Sequence, residues 1–298
     1  MKKIVGIILA CSIALFGIEA KNEENIDYTK IPSKETRDSV NHWLDGDFGL
    51  KPHKVNYILP FGKSNRVYRS YEVGVQYKDI EAELQVSLKL PIGSNLFGLG
   101  EKYYLAYTHK AFWQIYTESS PFRETNYSPE AFVSFPVSDR YSMFQLRNIK
   151  FGLAHTSNGK SQTWDQSLYP HHYLDPNNES RSVNYTYIEA TLQHHAIITD
   201  FRIWYRLPEG IDQDDNPDYV DYVGHSELKF NYFYNKHMFC LDTRYNISTG
   251  NGSVAGSYSY PLGDDVYIYA KAFSGYGESL IDYNHYITKF SIGFSFSR

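Results

Sequence analysis

From about Tyr57 to the end of the chain, apolar residues recur at every second position, in segments of about ten residues closed off by turn residues. Such a period of two belongs to strands with one apolar and one polar face. In "EAELQVSLKL" the residues Ala82, Leu84, Val86, Leu88 and Leu90 alternate with Glu81, Glu83, Gln85, Ser87 and Lys89. The same pattern runs through Phe201, Ile203, Tyr205 and Leu207, through Leu228, Phe230, Tyr232 and Tyr234, and through Phe290, Ile292, Phe294 and Phe296. The opposite faces carry Arg202, Arg206, Lys229, Asn231, Lys289 and Ser291. About twelve such segments follow one another, joined by turns such as "PLGDD" and "STGNG" and by the longer "PEGIDQDDNPD". The pattern predicts an all-β, antiparallel fold, either a closed barrel or two stacked sheets in a secreted soluble protein.

Composition separates the two. With 28 Tyr and 18 Phe among 298 residues, the chain has the aromatic density expected where strand ends meet two membrane interfaces. No apolar run beyond the first twenty residues approaches the ~18 needed for a transmembrane helix, which leaves a closed barrel as the way to cross a bilayer. The expected fold is therefore a transmembrane antiparallel β-barrel over residues 51–298, and an even strand number suits it.

Ahead of it, Lys2 and Lys3, the apolar stretch Ile4 to Phe16 and the small Ala20 mark residues 1–20 as a secretory signal. "ILAC" at 8–11 resembles a lipoprotein cleavage box, but apolar residues continue past Cys11. Residues 21–50 read as a polar, irregular arm. Removing the signal leaves Cys240 as the single cysteine, so neither an intramolecular disulfide nor a cysteine-based zinc site is expected. With 34 acidic against 29 basic residues and no basic stripe, nucleic acid is not an expected partner.

Candidate chemistry lies at the end of one apolar row. In "IKFGLAHTSNGK" the residues Ile149, Phe151, Leu153, His155 and Ser157 share a face. In a barrel that face looks into lipid, a position useful to an enzyme whose substrate is the lipid itself. Asn-Gly at 158–159 is also the signal of a tight hairpin. In "SVNYTYIEATLQ", Asn184 ends the row Thr186, Ile188, Ala190, Leu192 in the same way. If the two strands pair, Asn184 comes within side-chain reach of His155. Serine needs a base to take its proton, and the base needs a third group to fix its tautomer, so Ser157, His155 and Asn184 form a candidate nucleophile, base and orienter.

At these residues the chain resembles the outer membrane phospholipase A family. "HTSNGK" at 155–160 resembles its His-x-Ser-Asn-Gly-basic signature, "SRSVNY" at 180–185 its second block, and "SSPFRETNYSPE" at 119–130 and "SGYGESLIDYN" at 274–284 are near-verbatim matches. The resemblance implies a twelve-stranded outer-membrane barrel that hydrolyses acyl esters of phospholipids and lysophospholipids, requires Ca2+ and works as a homodimer. It assigns Ser157, His155 and Asn184 to the catalytic roles above. It places calcium on the hydroxyl of Ser180, the backbone carbonyl of Lys160 and the carbonyl of Ser119 of the partner subunit, with the N–H of Ser157 or Asn158 helping to hold the oxyanion.

The chain departs from the family in three places. It inserts "QTWDQSLYPHHYL" before "SRS", so that either Asp165 or Asp175 stands for the aspartate of the family's calcium loop. His109 stands where the family has a glutamine facing the partner, and the chain ends on Arg298, with Phe296 the last aromatic. The insertion motivates an alternative function, a non-catalytic channel or adhesin on the same scaffold. His171-His172 and His194-His195 point to opposite faces of an extended chain and make poor metal pairs. Arg123, Glu124 and Tyr127 are expected in the polar interior, and Glu278 with Asp282 in a structural charge network.

Overall fold

The computed structural model describes residues 33, 34, 36, 49–70, 74–137, 145–210 and 214–298; the signal sequence and nearly all of the 21–50 arm lie outside them. The strands are β1 (Lys51–Pro52), β2 (Tyr57–Ser64), β3 (Ile80–Ser94), β4 (Lys102–Trp113), β5 (Phe122–Pro136), β6 (Leu146–Ser157), β7 (Ser182–His194), β8 (Ile197–Arg206), β9 (Ser226–Tyr234), β10 (His237–Tyr245), β11 (Gly252–Pro261), β12 (Tyr267–Gly275) and β13 (Ile287–Ser295). From β2 to β13 each strand pairs antiparallel with the next, and β13 pairs back onto β2, giving a closed twelve-stranded barrel without a free edge. β1 is the leading fragment of the first strand: it pairs with β3 at Lys89 and Leu88, further along the edge that β2 uses.

Exposure settles barrel against sandwich. On β13 the aromatic and aliphatic side chains are outside, with Phe290 50 %, Ile292 40 % and Phe294 44 % exposed, while Lys289 at 2 % and Ser291 at 1 % are buried. Two stacked sheets would bury the apolar row; a lipid-facing wall presents it.

The polar faces fill the lumen with paired charge. Lys289 Nζ lies 2.9 Å from Glu81, 3.3 Å from Glu83 and 3.4 Å from Glu278. Lys271 and Lys110 also reach Glu83, at 2.6 and 3.4 Å. Arg123 joins Glu81 (2.8 Å) to Asp282, and Glu124 accepts the Ile281 amide at 3.0 Å. Arg123, Glu124, Glu278 and Asp282 are thus lumenal, as expected. Tyr127 is not: a β-bulge at Arg123 puts both Arg123 and Glu124 inside, and beyond it Tyr127, three positions from Glu124, sits exposed on the outer wall with its ring 5.2 Å from that of His109. A polar cavity of about 410 Å³, lined by Lys150, Glu189, Arg202, Lys229 and Asp242 among others, occupies the lumen, on the other side of the wall from His155 and Ser157.

Short turns gather at one end of the barrel and long loops at the other. His195 and Ala196 make the tight β7–β8 turn, His195 with φ 51°, whereas the longer β6–β7 and β8–β9 connections start from the opposite end, where β6 delivers Ser157. The glycine of "GLAH" has a packing role, since a Cβ on Gly152 would fall 2.4 Å from the Tyr187 ring, which crosses the lumen face there.

Candidate active site on the outer wall

The β6–β7 register places His155 directly opposite Asn184. Their side chains meet outside the barrel, His155 Nδ1 to Asn184 Oδ1 at 2.8 Å. Ser157 is two residues on, on the same face, and its Oγ accepts the Gly159 amide at 3.1 Å. On the other side, β5 pairs Tyr127 with Ser157 and Glu130 with Ala154, and the ladder is open between them, where Pro129 has no N–H to give. The three residues singled out from the sequence therefore stand together. Their side chains are half-buried, at the end of the apolar belt formed by Phe151, Leu153, Ile188 and Ile203.

The "SNGK" segment is not the tight hairpin that Asn-Gly suggested. Only Gly159 is in the left-handed region, φ 67°, and a Cβ there would lie 2.9 Å from the Tyr127 ring. Asn158 is buried and staples the two ends of the 158–181 loop. Its Nδ2 donates to the Glu179 carbonyl (2.7 Å), its Oδ1 accepts the Arg181 and Lys160 amides (3.1 and 3.2 Å), and its own N–H donates to the Arg181 carbonyl (3.1 Å). That last bond removes the Asn158 amide from the oxyanion role expected for it; the amide beside the Ser157 oxygen is that of Gly159.

Ser180 Oγ donates to Asp215 Oδ2 at 2.7 Å, and the other Asp215 oxygen accepts Gln162 Nε2 at 3.2 Å; the buried His172 Nε2 lies 3.3 Å from that oxygen without a hydrogen bond to it. The inserted residues are thus clamped on Asp215. Neither expected aspartate does this. Asp175 is spent on the Asn177 and Asp165 amides (2.9 and 3.0 Å), and Asp165 caps Ser167, whose hydroxyl and amide hold its carboxyl below the usual range. Lys160 is exposed beside Ser157 with Nζ 3.2 Å from Glu179, and Ser119 is exposed in the β4–β5 turn with φ 60°.

Two acidic residues in the β8–β9 loop escaped the sequence reading. Asp215 had no periodicity to mark it. Glu209, which accepts Asn184 Nδ2 at 2.6 Å, did: it is the next outward position after Tyr205 and Leu207, a polar end to an apolar row like Asn184 itself.

A serine, a histidine and an amide on the lipid side of a membrane barrel are the residue types that an ester hydrolase working at the bilayer surface would use. Comparison with known proteins specifies it. The profile of the phospholipase A1 family matches residues 34–296. The phospholipases A1 of Salmonella typhimurium and Escherichia coli are each 33 % identical over 254 residues, covering 84 % of this chain and 82 % of theirs. Among solved structures, an active-site mutant of the Escherichia coli outer membrane phospholipase A superposes with a TM-score of 0.74 at 31 % identity, covering 85 % of this chain and 93 % of that one. The Salmonella typhi outer membrane phospholipase dimer with bound calcium gives 0.73 at 31 % identity, with the same coverage of both chains. This chain belongs to the phospholipase A1 family of outer-membrane β-barrel enzymes.

Proposed function

We propose that this protein is a calcium-dependent phospholipase A that cleaves acyl esters of phospholipids and lysophospholipids by a Ser157–His155–Asn184 mechanism on its lipid-facing wall. The observation that carries it is the 2.8 Å contact of His155 Nδ1 with Asn184 Oδ1, on the outer face that also bears Ser157. With Nδ1–H held by Asn184, the lone pair of His155 Nε2 is free to take the Ser157 proton as Oγ attacks the acyl carbonyl. The resulting imidazolium returns that proton to the leaving glyceryl oxygen, and the acyl-serine ester is then hydrolysed by water activated by the same imidazole. The Gly159 N–H, 3.1 Å from Ser157 Oγ, is the backbone donor next to the tetrahedral oxygen. The lipid-facing position brings substrate by lateral diffusion, without extraction into water.

The residues fit a calcium ion. Ser180 commits its O–H to Asp215, which leaves the oxygen's lone pairs for a cation, and with the Lys160 carbonyl and the carbonyl of Ser119 of the partner subunit it makes an all-oxygen set. Calcium, when bound, supplies positive charge that offsets the oxyanion. A homodimer is part of this reading, because the resemblance takes the Ser119 carbonyl from the partner subunit and the Salmonella typhi relative is a dimer with bound calcium.

Purified protein in mixed detergent–phospholipid micelles is expected to release fatty acid and lysophospholipid, to stop on chelation and to recover on adding calcium. An inert protein in calcium would overturn the activity, and undiminished turnover under chelator would overturn the calcium requirement. Asp215→Ala frees the Ser180 hydroxyl and unpins the inserted loop. It is expected to raise the calcium concentration for half-maximal rate by about ten- to a hundredfold, the range seen when support of a metal ligand is lost. An unchanged calcium titration would separate Asp215 from the site. Gly159→Val combines a strained φ with a clash against Tyr127, and a drop in rate of about tenfold or more, with heat-modifiable gel migration retained, is expected.

A further inference from the structure

We infer that Glu209 is a positioning residue for the catalytic pair: by fixing which way the Asn184 amide faces, it decides which ring nitrogen of His155 holds the proton. The inference rests on the Ser157–His155–Asn184 reading and adds the group that makes a neutral orienter sufficient.

A side-chain amide has two ends of nearly the same shape, one an acceptor and the other a donor. With its oxygen toward His155, Nδ1 keeps its hydrogen and Nε2 is a base. With its NH2 toward His155, Nδ1 must accept, the ring proton moves to Nε2, and the imidazole can no longer take a proton from serine. Nothing in serine, histidine and asparagine alone chooses between these states. A carboxylate can only accept. At 2.6 Å from Asn184 Nδ2, Glu209 Oε1 would meet the amide oxygen at the same distance if the amide turned over, two acceptors face to face. The carboxylate therefore holds the donor end toward itself and the oxygen toward His155. It also polarises the amide, so that the imidazolium formed during reaction meets an oxygen backed by negative charge.

The backbone places Glu209 for this. The Leu207 amide donates to the Asn184 carbonyl at 2.8 Å, continuing the β7–β8 ladder one residue past β8. Glu209 is the next residue of the same parity, reached through Pro208, whose φ is fixed. Other charged and titratable groups on the surrounding elements are engaged elsewhere or neutral. Tyr127 on β5 and Tyr205 on β8 are phenols. Lys160 pairs with Glu179, Arg181 donates to the Asn178 and Ser180 carbonyls, and Arg206 points inward to Asp214. Glu209 is the carboxylate that touches Asn184.

The test compares wild type, Glu209→Gln, Asn184→Asp and the double variant Asn184→Asp/Glu209→Gln for fatty-acid release against pH in mixed micelles with calcium. Glu209→Gln keeps the size but can itself turn over, so kcat is expected to fall about tenfold with KM little changed, the worth of one hydrogen bond to a charged group. Asn184→Asp alone sets two carboxylates against each other and is expected to be poorly active. Combined with Glu209→Gln it should regain at least the rate of Glu209→Gln alone, since the new carboxylate holds the imidazole and the new amide donates to it. Wild-type kcat in Glu209→Gln, or a loss in that variant with no recovery in the double variant, would overturn the inference. Activity surviving in Ser157→Ala would instead overturn the catalytic reading beneath it.

Discussion

Ser157→Ala is expected to lower fatty-acid release from phospholipid by roughly four to six orders of magnitude, the loss found when the nucleophile of a serine–histidine pair is removed. The size follows from the chemistry. Without Oγ there is no acyl-enzyme, and His155 can only activate water directly, in a geometry built for an oxygen two residues along its own strand. The barrel should be indifferent, because Ser157 is at the end of β6 and its Oγ accepts one backbone amide, that of Gly159. The measurement is release of labelled fatty acid in calcium, together with covalent labelling by a fluorophosphonate, both on protein whose heat-modifiable migration is unchanged. A variant that keeps a tenth of the activity, or that still takes the label, would place the nucleophile elsewhere.

Lys289→Met is expected to give the largest loss of stability, about 3–5 kcal/mol. This ammonium is 1 % exposed and lies within 3.4 Å of carboxylate oxygens of Glu81, Glu83 and Glu278. Methionine fills much the same volume, so the cost is not a cavity but three acidic groups deprived of a shared cation in a site closed to water. Arg123 still serves Glu81, and Lys110 and Lys271 still serve Glu83, whereas Glu278 has Lys289 as its ion-pair partner among the described residues. Urea unfolding in detergent would show the effect as a lowered midpoint at unchanged slope, since the surface exposed on unfolding is the same. A loss below about 1 kcal/mol would mean that water replaces the lysine without difficulty.

Much of this architecture was legible because the barrel imposes a local rule. Parity along a strand assigns each residue to lipid or lumen, and it placed Leu153, His155, Ser157 and Asn184 outside and Glu81, Glu83 and Lys289 inside. Continued past Leu207 the rule marks Glu209 as an outward polar position, whereas at Tyr127 it is broken by the β-bulge at Arg123. Glu209 was missed by reading "PEGIDQDDNPD" as a loop instead of continuing the count. Asp215 was beyond the rule: it is buried against Ser180, Gln162 and His172 by the folding of two loops on one another, which no period records.

The insertion makes the same point. From sequence, "QTWDQSLYPHHYL" looked able to displace Ser180, and that was the motive for a non-catalytic alternative. In the structure the inserted Gln162 and His172 lie against Asp215, the carboxylate that also accepts the Ser180 hydroxyl.

By itself the sequence determined the all-β class, the order of the strands and the division of each into an apolar and a polar row, since these follow from a two-residue period and from chain order. The tertiary structure alone decided that the apolar rows face outward, that His155 and Asn184 share one register position, and that Asp215 and Glu209 stand behind Ser180 and Asn184. Those outcomes depend on closure of the sheet and on contacts between distant loops, and alternation along a strand carries no information about either.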